Sequence, residues 1–156
     1  MNEKIPVTSV AIITAQNPFG SRLSYDINHD LNRKLRLELY DANCELMQME
    51  GSYAGNQEHS FLTTNIPRIK LIELAQKYKQ KAAIWAFVRT LDEETYLHFQ
   101  YLENGKTTTG KIVPICASYL ESADKLFTAV RTGSFKLPVL ENKEEKSHGT
   151  EFSFDS

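Results

Sequence analysis

Six polar side chains of this 156-residue chain have types and positions that could do chemistry: Asn17, Asn28, Asn32, Glu58, Ser60 and Gln80. Glu58 could act as a base, a metal ligand or an anchor for a ribose hydroxyl. The amides and the Ser60 hydroxyl would orient a polar ligand around it. Asn17 falls just after a first strand and Asn28 and Asn32 in the helix that follows, where helix N-terminal amides attract anions. Asn28 and Asn32 are four apart, so they share a helix face, and asparagine is a poor interior helix residue because its amide competes for the backbone. A plainer reading stays open beside this one. Asn17 and Ser21 would be turn residues, Gln80 a helix end and Glu58 a loop anchor bonded to backbone amides.

Other chemistry-bearing residues are thinner. Cys44 and Cys116 are far apart, which excludes a CxxC redox motif or a zinc site by spacing, and they read as reduced thiols. Cys116 precedes a helix, where amides could lower its pKa. A catalytic cysteine needs a histidine, and His29, His59, His98 and His148 show no diagnostic or metal-binding spacing. Neither GxxxxGK[ST] nor GxGxxG occurs, so no phosphate-loop or dinucleotide cofactor is expected, and no metal. Arg68, Lys70, Lys77, Lys79 and Lys81 stand against Glu73 alone on a second helix. That basic surface could meet phosphates, but a solvated helix face with lysines toward its favourable end is the usual explanation, and no aromatic array interleaves with it.

The elements that must position these residues follow from hydrophobic period. Residues 9–15 (SVAIITA) read as a buried strand. Asn17-Pro18-Phe19-Gly20-Ser21 breaks the chain. Ser24 caps a helix whose apolar stripe is Ile27, Leu31, Leu35, Leu39 and Ala42. Residues 44–49 predict a strand, 51–57 a polar loop and 59–66 another strand. Asn65 and Pro67 suit a cap and an early helix position, and Leu71, Leu74, Ala75 and Tyr78 give that helix its buried face. Residues 82–88 predict a strand containing Trp85. Residues 96–102 and 106–115 predict a hairpin around Asn104-Gly105. Ser118-Tyr119-Leu120-Glu121 matches a capping box. It opens a third helix with Leu120, Ala123, Phe127 and Val130 inward and Gly133 closing it.

This order predicts a single α/β (α+β) domain over residues 1–138. Its β-α-β-β-α-β core matches the ferredoxin-like pattern or a related mixed sheet with helices on one face, followed by a β-hairpin and a C-terminal helix. A three-layer arrangement is the alternative, decided by the side that the third helix takes. Residues 139–156 read as a disordered tail: from Glu141 it carries five acids against two bases, with Phe152 and Phe154 as its only aromatics.

The totals agree with one domain. A chain of this length buries roughly 70% of its unfolded surface, enough to fold without metal or disulfide. Its apolar fraction of 41% and charged fraction of 24% are those of a soluble globular protein. A net charge of −2 argues against a dedicated nucleic-acid binder. No apolar run approaches the roughly 18 residues a membrane helix needs, and the N-terminus shows no signal-peptide pattern. A cytoplasmic location without membrane attachment is expected.

The residues also carry a resemblance. SVAIITAQNPFG, then Ser24 with Asn28 and Asn32, then a loop glycine, EHSFLTTNI and LAQKYKQKAAIWAF together resemble the bacterial "domain of unknown function 3293" family, over residues 11–87. The loop GSYAGNQ is shorter than the Gly/Asp-rich loop of many relatives. The resemblance implies a small cytosolic α/β domain in which Asn17, Asn28, Asn32, Glu58, Ser60 and Gln80 match motif positions; it implies no reaction. The leading expectation is a domain that binds a small polar or nucleotide-like ligand at a site centred on Glu58. The alternative is a non-catalytic interaction or accessory module that takes a protein partner through its C-terminal tail. Third comes nucleic-acid binding through residues 68–81.

Overall fold

The computed structural model describes residues 4–18, 22–53, 56–103, 106–138 and 151–154, with the backbone alone at 51–53, 56–58 and 151–154. The elements are β1 Ser9–Ile13, α1 Tyr25–Asp41, β2 Leu46–Tyr53, β3 Asn56–Thr64, α2 Arg68–Lys77, β4 Ala82–Leu91, β5 Glu94–Glu103, β6 Lys106–Pro114, α3 Ala123–Thr132 and β7 Glu151–Phe154. They form a seven-stranded sheet in the order β6-β5-β4-β1-β3-β2-β7. Every neighbouring pair is antiparallel, so the sheet is not mixed. The two helical crossovers interleave. β1-α1-β2 straddles β3, and β3-α2-β4 straddles β1, which puts β1 and β3 at the centre.

Strand alternation sorts the core into two layers. Ala11, Ile13 and Phe61 pack with Leu35 and Leu39 of α1 and Leu71 and Leu74 of α2. Val10, Ile12, Leu62, Ile84, Ala86, Leu97 and Phe99 face the other way, onto Leu126, Phe127 and Val130 of α3. α1 and α2 therefore share one face, as expected for the core pattern, and α3 covers the other, which is the three-layer alternative. Burying Leu35, Leu39 or Leu126 contributes about 1.5–3 kcal/mol each, since all three are at most 1% exposed.

Local chemistry explains most boundaries. Ser24 caps α1, its hydroxyl accepting from the Ile27 amide. Ser122, not Ser118, caps α3 by accepting from the Lys125 amide. The predicted box at 118–121 falls in a 3-10 turn, Ala117–Leu120, because the chain tightens there before the helix starts. Gly133 ends α3 at φ 82. Asp92 and Glu93, both at positive φ, make the two-residue turn that extends β4 and β5 beyond their predicted ends.

Three further expectations change. Asn65 does not cap α2. It sits at φ 61, accepts from the Thr8 amide and donates to the Pro6 carbonyl, which ties the N-terminal lead-in to the end of β3. The predicted loop at 51–57 is mostly ladder: Gly51 pairs with Glu58, Ser52 with Gln57 and Tyr53 with Asn56. Ladder hydrogen bonds and the flanking pairs outweigh the low strand preference of glycine. Four residues of the tail read as disordered form β7 on the outer edge of β2, from Met49↔Phe154 to Ser52↔Glu151. Backbone pairing of this kind needs no hydrophobic run. The predicted turn residues Asn104 and Gly105 and the remainder of the tail lie outside the described residues.

Candidate functional site

β1 leaves the sheet after Ile13, and that departure builds the site. Residues 14–17 lose their ladder partners while staying buried, and their backbone groups need other bonds. Side chains of α1 and α2's exit supply them. Asn32 Oδ1 accepts from the Ala15 amide at 2.8 Å, and its Nδ2 donates to the His59 carbonyl at 2.7 Å. Asn28 Oδ1 accepts from the Asn17 amide at 2.9 Å, while its Nδ2 donates to Asn17 Oδ1 at 2.9 Å and to the Leu23 carbonyl at 3.3 Å. Gln80 Nε2 donates to the carbonyls of Gln16, at 2.9 Å, and Tyr78, at 3.1 Å.

This is why the helix stripe differs from its prediction. Ile27 is 52% exposed, and the inward positions are Asn28, Asn32, Leu35 and Leu39. Two asparagines take apolar-looking places because the facing surface is backbone, not side chain. Asn17 itself adopts φ 49, a left-handed conformation that asparagine tolerates.

Two residues that sequence reasoning passed over complete the arrangement. Thr14 Oγ1 donates to the His59 carbonyl at 2.7 Å, and Gln16 Oε1 accepts from the His59 amide at 2.8 Å. Together they replace β1 as the partner of β3 at His59. Both lie in the TAQNP run, whose density of short amide and hydroxyl side chains was the available signal.

The structure thus gathers Asn17, Asn28, Asn32 and Gln80. Ser60 is not among them. It is buried on β3 between His59 and Phe61, on the same strand face as Leu62, which packs in the α3 layer. The backbone of Glu58 pairs with Gly51; its side chain lies outside the described residues.

The network fixes two turns, Asn17-Pro18 and Tyr78 to Gln80, and these border a groove of about 700 Å³. Pro18, Leu31, Leu37, Glu38, Lys77 and Tyr78 line it, as do Lys34 and Lys79. Glu38 links the two helices, accepting from Lys77 Nζ at 2.6 Å and from the Tyr78 hydroxyl. Burial pushes the Glu38 carboxyl up, but hydrogen bonds from Lys77 and Tyr78 outweigh it and hold it below its ordinary value. Burial and the bond to Glu38 push the Tyr78 phenol up, so it stays protonated across the physiological range. It is a positioned donor, not a base.

On the other side of α1, Arg36 lies over the Phe61 ring at 5.7 Å and donates to Gln48 Oε1 at 3.3 Å. Its Nε is buried with no partner. The basic helix is less free than its composition implies. Arg68 donates to Gln100 and Thr107, and Lys77 pairs with Glu38. The two thiols differ. Burial pushes Cys44 up, while the hydrogen bond with Ser118 lowers exposed Cys116. Among the described residues no group of three His, Cys, Asp or Glu side chains could hold a metal, and no helix is long and apolar enough to cross a membrane.

The departure of β1 under paired asparagines, closed by a glutamine after α2, spans the segment that carried the resemblance. Residues 13–83 match the family model DUF3293, a protein of unknown function. The match runs from the last residue of β1 to the second residue of β4. It takes in α1, β2, β3 and α2 and leaves out β5, β6 and α3. DUF3293 thus covers the amide network and the groove whole. No curated protein matches the chain.

Proposed function

We propose that the domain binds a small, negatively charged, partly apolar ligand, nucleotide-like in that sense, in the groove between α1 and the end of α2. One observation carries this reading. The buried amide network holds the two turns that form the lips of the groove, so the concavity is set before any ligand arrives. Preformed concavities of about 300–1,000 Å³ are the usual size for small ligands. Lys34 and Lys77 bring positive charge to the groove that suits an anion, Lys34 beside Asp30 and Lys77 beside Glu38, and Pro18, Leu31 and Leu37 supply an apolar part of its lining. Asn28, Asn32 and Gln80 are positioning residues in this reading, since their described bonds go to the protein backbone.

The test is a thermal-shift screen of the full chain against nucleotides, sugar phosphates, organic acids and divalent metals. A ligand at 100 times its dissociation constant adds about 2.7 kcal/mol of stability, a rise of roughly 5–10 °C for a domain of this size. Lys34→Glu and Leu37→Glu, both at exposed positions, should abolish the shift while leaving the unliganded melting temperature within about 2 °C. A shift lost in Glu58→Ala but kept in those two variants would move the site to Glu58. No shift with any compound would refute the ligand reading.

A further inference from the structure

The two edges of the sheet are protected in different ways. β6 carries the usual deterrents to edge-to-edge pairing: exposed Lys106 and Lys111, a terminal Pro114, and a register shift where it meets β5 between His98 and Gln100. The opposite edge, β2, has the sequence LMQMEGSY, with neither lysine nor proline. It is covered instead by four residues from the far end of the same chain, Glu151–Phe154, paired in register from Met49↔Phe154 to Ser52↔Glu151.

We propose that the outer edge of β2 is a strand-docking site, filled by the chain's own Glu151–Phe154 and able to take the same segment from a second copy. This edge is separate from the ligand groove, and three observations support its role. First, the recognition is backbone pairing, the mode by which extended peptides add to sheet edges. Second, the docked segment follows twelve residues, 139–150, of which five are glutamates or lysines in the run ENKEEK and none is an apolar anchor after Leu140. Twelve residues reach at most about 40 Å, long enough to return to its own β2 or to cross to a neighbour. Third, among the described residues four residue pairs hold the segment on β2, a local hold at the sheet edge. A tether of about this length gives an effective concentration in the millimolar range. At micromolar protein the segment therefore docks on its own molecule, and exchange between copies appears when the tethered copy is disabled.

The experiment uses the full chain and a fluorescein-labelled peptide of residues 148–156, HGTEFSFDS, read by anisotropy. In one protein variant Phe152→Pro and Ser153→Pro are combined. Neighbouring residues of a strand direct their amides to opposite sides, so one of the two prolines removes a donor facing β2 whatever the register. The variant should bind the peptide at least tenfold more tightly than the wild type, and a peptide carrying the same two prolines should not bind. Hydrogen exchange of those Met49–Ser52 amides that face β7 should be slow in the wild type, fast in the variant and slow again with saturating peptide, while those that face β3 stay slow throughout. Ser153→Pro alone provides a milder variant if the double one does not melt cooperatively. Peptide binding by neither protein, equal binding by both, or equal binding of the proline peptide would overturn the proposal.

Discussion

Asn32 is 6% exposed and bonds two separate backbone segments, so replacing it tests whether the buried amides are a scaffold. In Asn32→Ala the Ala15 amide, itself fully buried, loses its acceptor. An orphaned buried donor costs about 1–3 kcal/mol. The His59 carbonyl keeps the Thr14 hydroxyl, so its loss is a single bond of about 0.5–1.5 kcal/mol. The sum is roughly 2–4 kcal/mol, or a fall of about 5–15 °C in melting temperature at this chain length. Asn32→Leu removes the same bonds but fills the space, so it separates polar loss from cavity formation. Urea unfolding with an unchanged slope and a lower midpoint is the readout. Both variants should lose at least about 1.5 kcal/mol. If Asn32→Leu matched the wild type, the backbone of residues 14–17 would not depend on this amide, and the account of α1's inward face would be wrong.

Three more outcomes follow from the same structure. Glu38→Gln should cost roughly 1–2 kcal/mol at pH 7. Because the folded carboxyl lies below its ordinary value, that contribution is present above the unfolded carboxylate pKa and disappears as pH falls through the folded one, so the wild-type and variant stabilities should converge below about pH 4; a gap constant from pH 7 to pH 3 would refute it. Ile27→Ser should change stability by less than about 0.5 kcal/mol, whereas Leu35→Ala should cost about 2–5 kcal/mol, as chemical denaturation will show. Native-state alkylation with iodoacetamide, read by mass spectrometry, should label Cys116 and spare Cys44 until denaturant is added.

What the chain's order of residues determined by itself was periodic and local. The apolar periods of residues 9–15, 71–78 and 82–88, the Ser24 cap and the Gly133 stop each depend on neighbours within a turn or a strand, so they can be read without tertiary contacts. The family likeness was legible for the same reason, since its motifs are short runs. The tertiary structure decided what depends on distant partners. Asn28 and Asn32 could be recognised as odd for a helix, but not as buried, because the surface they meet is the backbone of residues 14–17. Ser60 shares a motif with Glu58 yet points into the α3 layer, a fact that follows only from strand register. The side taken by α3 was open in the sequence, because Ala123, Phe127 and Val130 would fit any apolar sheet face. The uncovered face of β1 and β3 chose for them, with α1 and α2 already occupying the other. The docking of Glu151–Phe154 was the least legible feature, because backbone pairing leaves little trace in side-chain pattern and its partner, β2, lies about a hundred residues away.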